Sequence, residues 1–131
     1  MSARREQLRL SETEDHLSVC RLEPDAELPD WAVSGMLFSV TRTADELSVV
    51  CDENAVPEDV KHESGWRCLK LAGPFEFSLT GVLLSVLEPL AEAEVGIFSI
   101  STFDTDYVLV KDEQLDVAVR ALRAWGHEII G

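Results

Sequence analysis

The residues best suited to chemistry in this chain are Asp104 and Asp106, in the polar break Phe103-Asp-Thr-Asp106, together with the step Gly81-Val82-Leu83. Side-chain carboxylates bind ammonium or guanidinium groups. Free backbone N–H groups at the start of a helix bind carboxylates. Gly81 has no Cβ, so a ligand can come close to the backbone there. A site offering both features complements both ends of a zwitterion, and a free amino acid is such a molecule. Two other readings stay open. Asp-Thr-Asp is ordinary turn chemistry, in which the side chains satisfy their own backbone. A hard cation wants more oxygen ligands than two, and no loop of EF-hand spacing is present.

The surrounding elements must bring these residues together. Residues 75–80 alternate strictly between apolar and polar, which predicts a half-buried strand. Residues 82–94 carry Val82, Leu83, Val86, Leu87, Leu90 and Ala91 at helical spacing. Pro89 removes the bond to the Ser85 carbonyl, so a kink or irregular first turns are expected. Gly96 opens a strand over 97–102, residues 103–106 turn, and 107–110 return. Asp112 is expected to cap a helix over 113–125 whose apolar stripe is Leu115, Ala118, Val119, Leu122 and Trp125. Arg120 and Arg123 suit its C-terminal dipole, Gly126 suits its C′ position, and 127–130 read as a last short strand. The order is strand, helix, strand, strand, helix, strand, the split βαβ or ferredoxin-like pattern. That topology puts the end of 75–80 and the turn at 103–106 at one end of the sheet. Gly81, Val82 and Leu83 then lie beside Asp104 and Asp106. Apolar residues occur on both faces of 97–102 and 107–110, so a second sheet is expected, from the first half or from a second chain in a homodimer.

The stretch 99–113 has an echo sixty positions earlier at 39–53. Identical pairs are Ser39/Ser99, Val50/Val110, Asp52/Asp112 and Glu53/Glu113. A repeat of this kind suggests one module used twice. In the first half, strands are expected at 8–10 and 17–22, joined through the acidic turn Glu12-Thr-Glu-Asp15. A helical turn at 30–34 capped by Asp30, a hairpin over 37–42 and 46–51, a short helix over 57–62 and a strand over 66–71 follow. Ala72-Gly73-Pro74 is the one obvious joint, which gives expected domains at 1–72 and 73–131.

Bulk properties narrow the function classes. The chain has 131 residues and a formal net charge of −14, so nucleic acid and anionic membranes are repelled overall. No apolar run approaches membrane-spanning length and no secretory signal is apparent, which points to the cytoplasm. Cys20, Cys51 and Cys68 are odd in number and lie in apolar runs, as buried reduced thiols do. His16, His62 and His127 share no ligand spacing and read as surface or strand-end residues. No nucleophile elbow, Walker-type loop or dinucleotide fingerprint occurs, so no enzyme, cofactor or metal is expected.

The segments Ser78-Leu-Thr-Gly-Val-Leu83, Pro89-Leu-Ala-Glu-Ala-Glu-Val-Gly-Ile97 and Ser101-Thr-Phe-Asp-Thr-Asp-Tyr-Val-Leu-Val110 resemble the ACT domain family of small amino-acid-binding regulatory modules. More narrowly, Ser-Thr-Phe-x-x-Asp before an apolar triplet looks like the ACT repeats of the CASTOR arginine sensors and of proteins related to aspartokinase regulatory domains. The resemblance implies an α+β fold of two tandem ferredoxin-like (βαββαβ) ACT domains, the first degenerate, with packed antiparallel sheets. It implies a ligand site at Thr80, Gly81, Val82, Leu83, Ser101, Thr102 and Asp106, with Asp106 holding the ligand's cationic group. In the first half Arg42 stands sixty positions before Thr102, free to face a carboxylate or pair with Glu46, and a second site there is doubtful. The implied function is a non-enzymatic sensor or regulatory protein for a free amino acid, whose binding shifts the arrangement of the two copies or of a homodimer. The alternative is an ACT-like interaction protein that assembles without ligand, with itself or with a partner enzyme.

Overall fold

A computed structural model describes residues 7–72 and 81–131. In chain order the elements are β1 (Arg9–Leu22), a 3-10 turn (Asp30–Val33), β2 (Ser39–Arg42), β3 (Leu47–Asp52), a 3-10 turn (Glu53–Ala55) and β4 (Lys61–Leu71). Then come α1 (Leu84–Glu92), β5 (Ile97–Ser101), β6 (Asp106–Lys111), a 3-10 turn (Asp112–Gln114), α2 (Leu115–Trp125) and β7 (Glu128–Ile130). The chain divides into two compact units. One comprises 1–13 with 68–131, the other 14–67, so β1 and β4 contribute residues to both. This cuts the chain differently from the expected domains at 1–72 and 73–131.

In the unit containing the C-terminus, the strand order is β7-β1-β4-β6-β5. β5 and β6 pair antiparallel, from Ile97↔Val110 to Ser101↔Asp106. β1 and β7 pair in parallel, Arg9↔Glu128 to Ser11↔Ile130, so the pairing is not purely antiparallel as expected. Within each unit the strands form one sheet rather than two. Val86 and Leu90 of α1, Leu115, Ala118 and Leu122 of α2, and Val108 and Val110 of β6 meet in a single apolar core. Leu109, on the opposite face of β6, is equally buried. Gly126 ends α2 at φ 116°, where its N–H donates to the Arg123 carbonyl.

The strand expected over 75–80 lies outside the described residues, and the inner neighbour of β6 is β4. Three further expectations change. The acidic stretch Glu12-Thr-Glu-Asp15 is not a turn but the middle of the continuous β1, 14 residues long. It holds no Gly or Pro to bend the chain, and pairing along the strand overrides weak intrinsic propensity. The helix expected over 57–62 is absent: the 3-10 turn stops at Ala55 and β4 begins at Lys61. Asp30 and Asp112 are first residues of 3-10 turns rather than caps, the flanking positions being Pro29 and Lys111. Asp52 does cap, accepting from the Asn54 N–H at 2.9 Å.

In the 14–67 unit the order is β2-β3-β1-β4. β1 and β3 pair antiparallel from Leu17↔Asp52 to Leu22↔Leu47. The hairpin β2–β3 repeats β5–β6, with a spacing of 59 rather than sixty. Its last pair is Arg42↔Leu47 against Ser101↔Asp106. Its turn bond runs from Thr43 N–H to the Glu46 carbonyl at 2.9 Å, against Thr102 N–H to the Thr105 carbonyl at 2.8 Å. β3 and its 3-10 turn (Leu47–Asp52, Glu53–Ala55) match β6 and its own (Asp106–Lys111, Asp112–Gln114) at that same spacing. Arg42 therefore corresponds to Ser101, and the counterpart of Asp104 is Asp45.

Cys20, Cys51 and Cys68 are free thiols and all buried. Cys20 and Cys51 share a core with Ala32, Leu47 and Val49. Burial pushes the Cys51 thiol up from an ordinary 9.0 to about 11, with the Cys20 sulfur adding to it and the Ser34 hydroxyl opposing. The folded state thus holds this proton more tightly than the unfolded chain. The stability this contributes is whole below pH 9.0 and is lost as pH rises through about 11. Urea midpoints should fall across that window, and less steeply in Cys51→Ala. Parallel declines in the two proteins would contradict the assignment.

Candidate functional site

The β5–β6 turn is built by hydroxyls. Thr102 Oγ1 donates to the Thr105 carbonyl at 3.0 Å and accepts from the Thr105 N–H at 3.4 Å. Thr105 is only 6% exposed, and its Oγ1 donates to the Leu71 carbonyl at 2.8 Å. That bond ties the turn to the end of β4. Between them opens a cavity of about 430 Å³, lined by Ser11, Lys70, Leu71, Ala72, Thr102, Asp104, Thr105 and Tyr107. Its volume suits a small molecule. The Lys70 ammonium stands 5.9 Å from the centroid of the Tyr107 ring, within cation–π range. Asp104 is exposed in the turn, so the lining includes both a cation and a carboxylate.

Of the residues singled out in the sequence, the structure brings Thr102 and Asp104 to this cavity. Ser101 and Asp106 form the last registered pair of the hairpin. The Ser101 hydroxyl donates to Asp106 Oδ1, and neither residue lines the cavity. Gly81 is exposed at φ 84°, and its carbonyl accepts from the Ser85 N–H at 3.0 Å. Val82 is 5% exposed in the core and Leu83 packs against it, so both side chains serve packing. None of these three lines the cavity, and Thr80 lies outside the described residues. Sequence reasoning missed Ser11, Lys70, Thr105 and Tyr107. A signal existed for Lys70, a cation set in the apolar run Trp66-Arg-Cys-Leu-Lys-Leu71 just before Ala72-Gly73-Pro74.

The equivalent turn at 43–46 is arranged differently. Arg42 neither faces a carboxylate nor pairs with Glu46; its guanidinium donates to the carbonyls of Pro24 and, at 2.7 Å, of Ala26. A second cavity of about 370 Å³ in that unit is lined by residues of β1, the loop at 35–37 and Asp52 with Asn54, and not by this turn. Among the described residues, no three His, Cys, Asp or Glu side chains are grouped to hold a metal. No helix among them is long and apolar enough to cross a membrane.

His127, expected at the surface or a strand end, is 4% exposed. Its Nδ1 accepts from the Leu8 N–H at 3.0 Å, and its Nε2–H donates to the Ser85 carbonyl at 2.7 Å. Ser85 lies four residues before Pro89, so its carbonyl has no helical donor. The imidazole supplies the missing one.

A hairpin and two helices around one core, with a polar cavity at the hairpin turn, define an ACT-like α+β module. The chain is an ACT-domain protein: the ACT domain model matches residues 61–124. A second model, of an N-terminal domain, matches 15–59. The chain is 39% identical to protein Atu0741 of Agrobacterium tumefaciens, whose crystal structure superposes with a TM-score of 0.90 over 95% of this chain and 93% of that one. The cytosolic arginine sensor for mTORC1 subunit 1 of Homo sapiens is 29% identical over 96 residues, 65% of this chain. The chain spans 29% of the length of that sensor. The regulatory subunit of aspartate kinase from Thermus thermophilus shares the fold, with a TM-score of 0.57 at 12% identity over 86% of this chain and 93% of that one. Of these, one is a named arginine sensor and another is the regulatory subunit of an enzyme.

Proposed function

We propose that this chain is a non-catalytic regulatory module that binds a free amino acid in the cavity between the end of β4 and the β5–β6 turn. The observation that carries the reading is that one small cavity has both Lys70 and Asp104 among its lining residues. A carboxylate on the ligand meets the ammonium, and the ligand's ammonium meets the carboxylate. The Ser101–Asp106 bond then belongs to positioning the turn, and Asp104 takes the role first given to Asp106. The names of the sensor and regulatory relatives agree with this reading. We further propose that the module is a tandem of two ACT-type copies, because the two hairpins keep the same register and turn bonds. A cytoplasmic homodimer controlling a partner enzyme fits the same picture.

Calorimetry with free L-amino acids tests the site. Asp104→Asn and Lys70→Gln should each weaken binding at least tenfold with the unfolding midpoint unchanged. Undiminished affinity in both would place the ligand elsewhere. A second reading, assembly without ligand, is favoured by the exposed apolar residues Leu28, Val33, Met36, Phe38 and Val40 around the edge strand β2. Ligand-independent dimerisation in sedimentation, lost in Val40→Lys, would support it.

A further inference from the structure

We infer that Thr105 is a positioning residue of this cavity, whose hydroxyl sets the spacing between Asp104 and Lys70 at which a zwitterion is held. The inference rests on the amino-acid reading above and names a residue on which that binding depends. Thr105 Oγ1 donates to the Leu71 carbonyl at 2.8 Å, in a buried bond between residues 34 positions apart. Its two ends adjoin the two charged residues of the lining. Asp104 immediately precedes Thr105, and Lys70 immediately precedes Leu71. β4 ends at Leu71 and β6 begins at Asp106, so the bond fastens the turn to the last residue of β4. The Lys70 ammonium in turn stands 5.9 Å from the ring centroid of Tyr107, two residues beyond Thr105.

The turn itself does not need this bond. It is closed by the Thr102 N–H, which donates to the Thr105 carbonyl at 2.8 Å, and by the Thr102 hydroxyl. The first hairpin closes its turn in the same way. The Thr43 N–H donates to the Glu46 carbonyl at 2.9 Å, and the Thr43 hydroxyl accepts from the Asp45 and Glu46 N–H groups, both at 3.1 Å. Glu46 stands where the second turn has Thr105, and a carboxylate has no hydrogen to donate to a strand end. The turn chemistry is thus common to both hairpins, and the tie to the neighbouring strand comes from the threonine. A ligand held at both ends profits from two charge contacts when their spacing is fixed beforehand. If binding must order that spacing, affinity is lost. The one hydroxyl hydrogen of Thr105 goes to Leu71, so the residue acts through its neighbours.

The test is calorimetry on the full chain with the twenty standard amino acids, then with the carboxamide of the tightest binder. The carboxamide keeps the ammonium and the side chain but lacks the carboxylate. The parent should prefer the acid at least tenfold. Thr105→Val turns the hydroxyl into a methyl group and keeps the backbone bonds of the turn. In it the preference should fall at least fivefold, with affinity for the carboxamide within twofold of the parent. Thr105→Ser restores the donor and should restore the preference. A valine variant that keeps the parent's preference, or that loses acid and carboxamide equally, overturns the inference. So does a serine variant that fails to recover it. If the valine variant does not unfold cooperatively in urea, Thr105→Ala, which lets water reach the Leu71 carbonyl, takes its place with the same expected results. No binding of any amino acid to the parent at 10 mM, roughly the weak limit of small-ligand recognition, overturns the amino-acid reading itself, as does a parent with no preference for the acid.

Discussion

Replacing His127 with alanine should lower the unfolding free energy by about 3–5 kcal/mol. Two backbone groups lose their partners, the part-buried Leu8 N–H and the buried Ser85 carbonyl, each costing about 1–3 kcal/mol where water does not replace the bond. The vacated ring volume adds a cavity cost. Against a domain stability of about 5–15 kcal/mol that is a large fraction. The Ser85 share can be isolated, because Pro89 is the reason this carbonyl needs a side-chain donor. In a Pro89→Ala background the helix regains an N–H at position 89. His127→Ala should then cost about 1–2 kcal/mol less than it does beside proline, the size of one hydrogen bond. Urea denaturation of the four proteins measures the coupling. Equal costs in both backgrounds would show that the Ser85 bond carries no net stability.

Leu122→Ala should destabilise by about 3 kcal/mol, within the usual range of about 2–5 for a fully buried leucine. Leu122 is 0% exposed at the centre of the core that joins α2 to α1 and β6. Val117, on the same helix, is 38% exposed, and its alanine variant should stay within about 1 kcal/mol of the parent. Urea midpoints with unchanged slopes measure both. Similar losses at the two positions would mean that α2 presents a different face to the core than its burial indicates.

Much of the C-terminal half was legible because its signals are local. The two apolar runs around the polar break at 103–106, the stripe of α2 and the glycine after Trp125 each mark an element by chemistry within a few residues. The failures came where the deciding partner is distant. Glu12 to Asp15 read as a turn from composition, and the pairing that keeps them extended is not visible in those four residues. His127 read as peripheral, because the vacancy it fills is created by a proline 38 positions away. The repeat was found, yet its spacing was misjudged by one residue, since Asp52/Asp112 and Glu53/Glu113 align by identity while the backbone aligns Thr43 with Thr102. That single step changed which side chains are compared and hid the shared aspartate of the two turns. Of the cavity lining, the turn residues Thr102 and Asp104 had been singled out by type. Lys70 was passed over because a lysine in a strand reads as solvated until the fold brings the turn to it.

The parallel pairing of β1 with β7 has a consequence for how this protein is made. Arg9 meets Glu128 across a sequence separation of 119 residues. At a synthesis rate of about 5–20 residues per second, roughly 6–24 s pass between the appearance of the two. During that interval the leading part of β1 has no β7 to accept its edge, and the Leu8 N–H waits for His127. This end of β1 is completed only once β7 appears, so the nascent chain carries an open edge while the residues between the two are made. Contacts this non-local also slow folding from the denatured state.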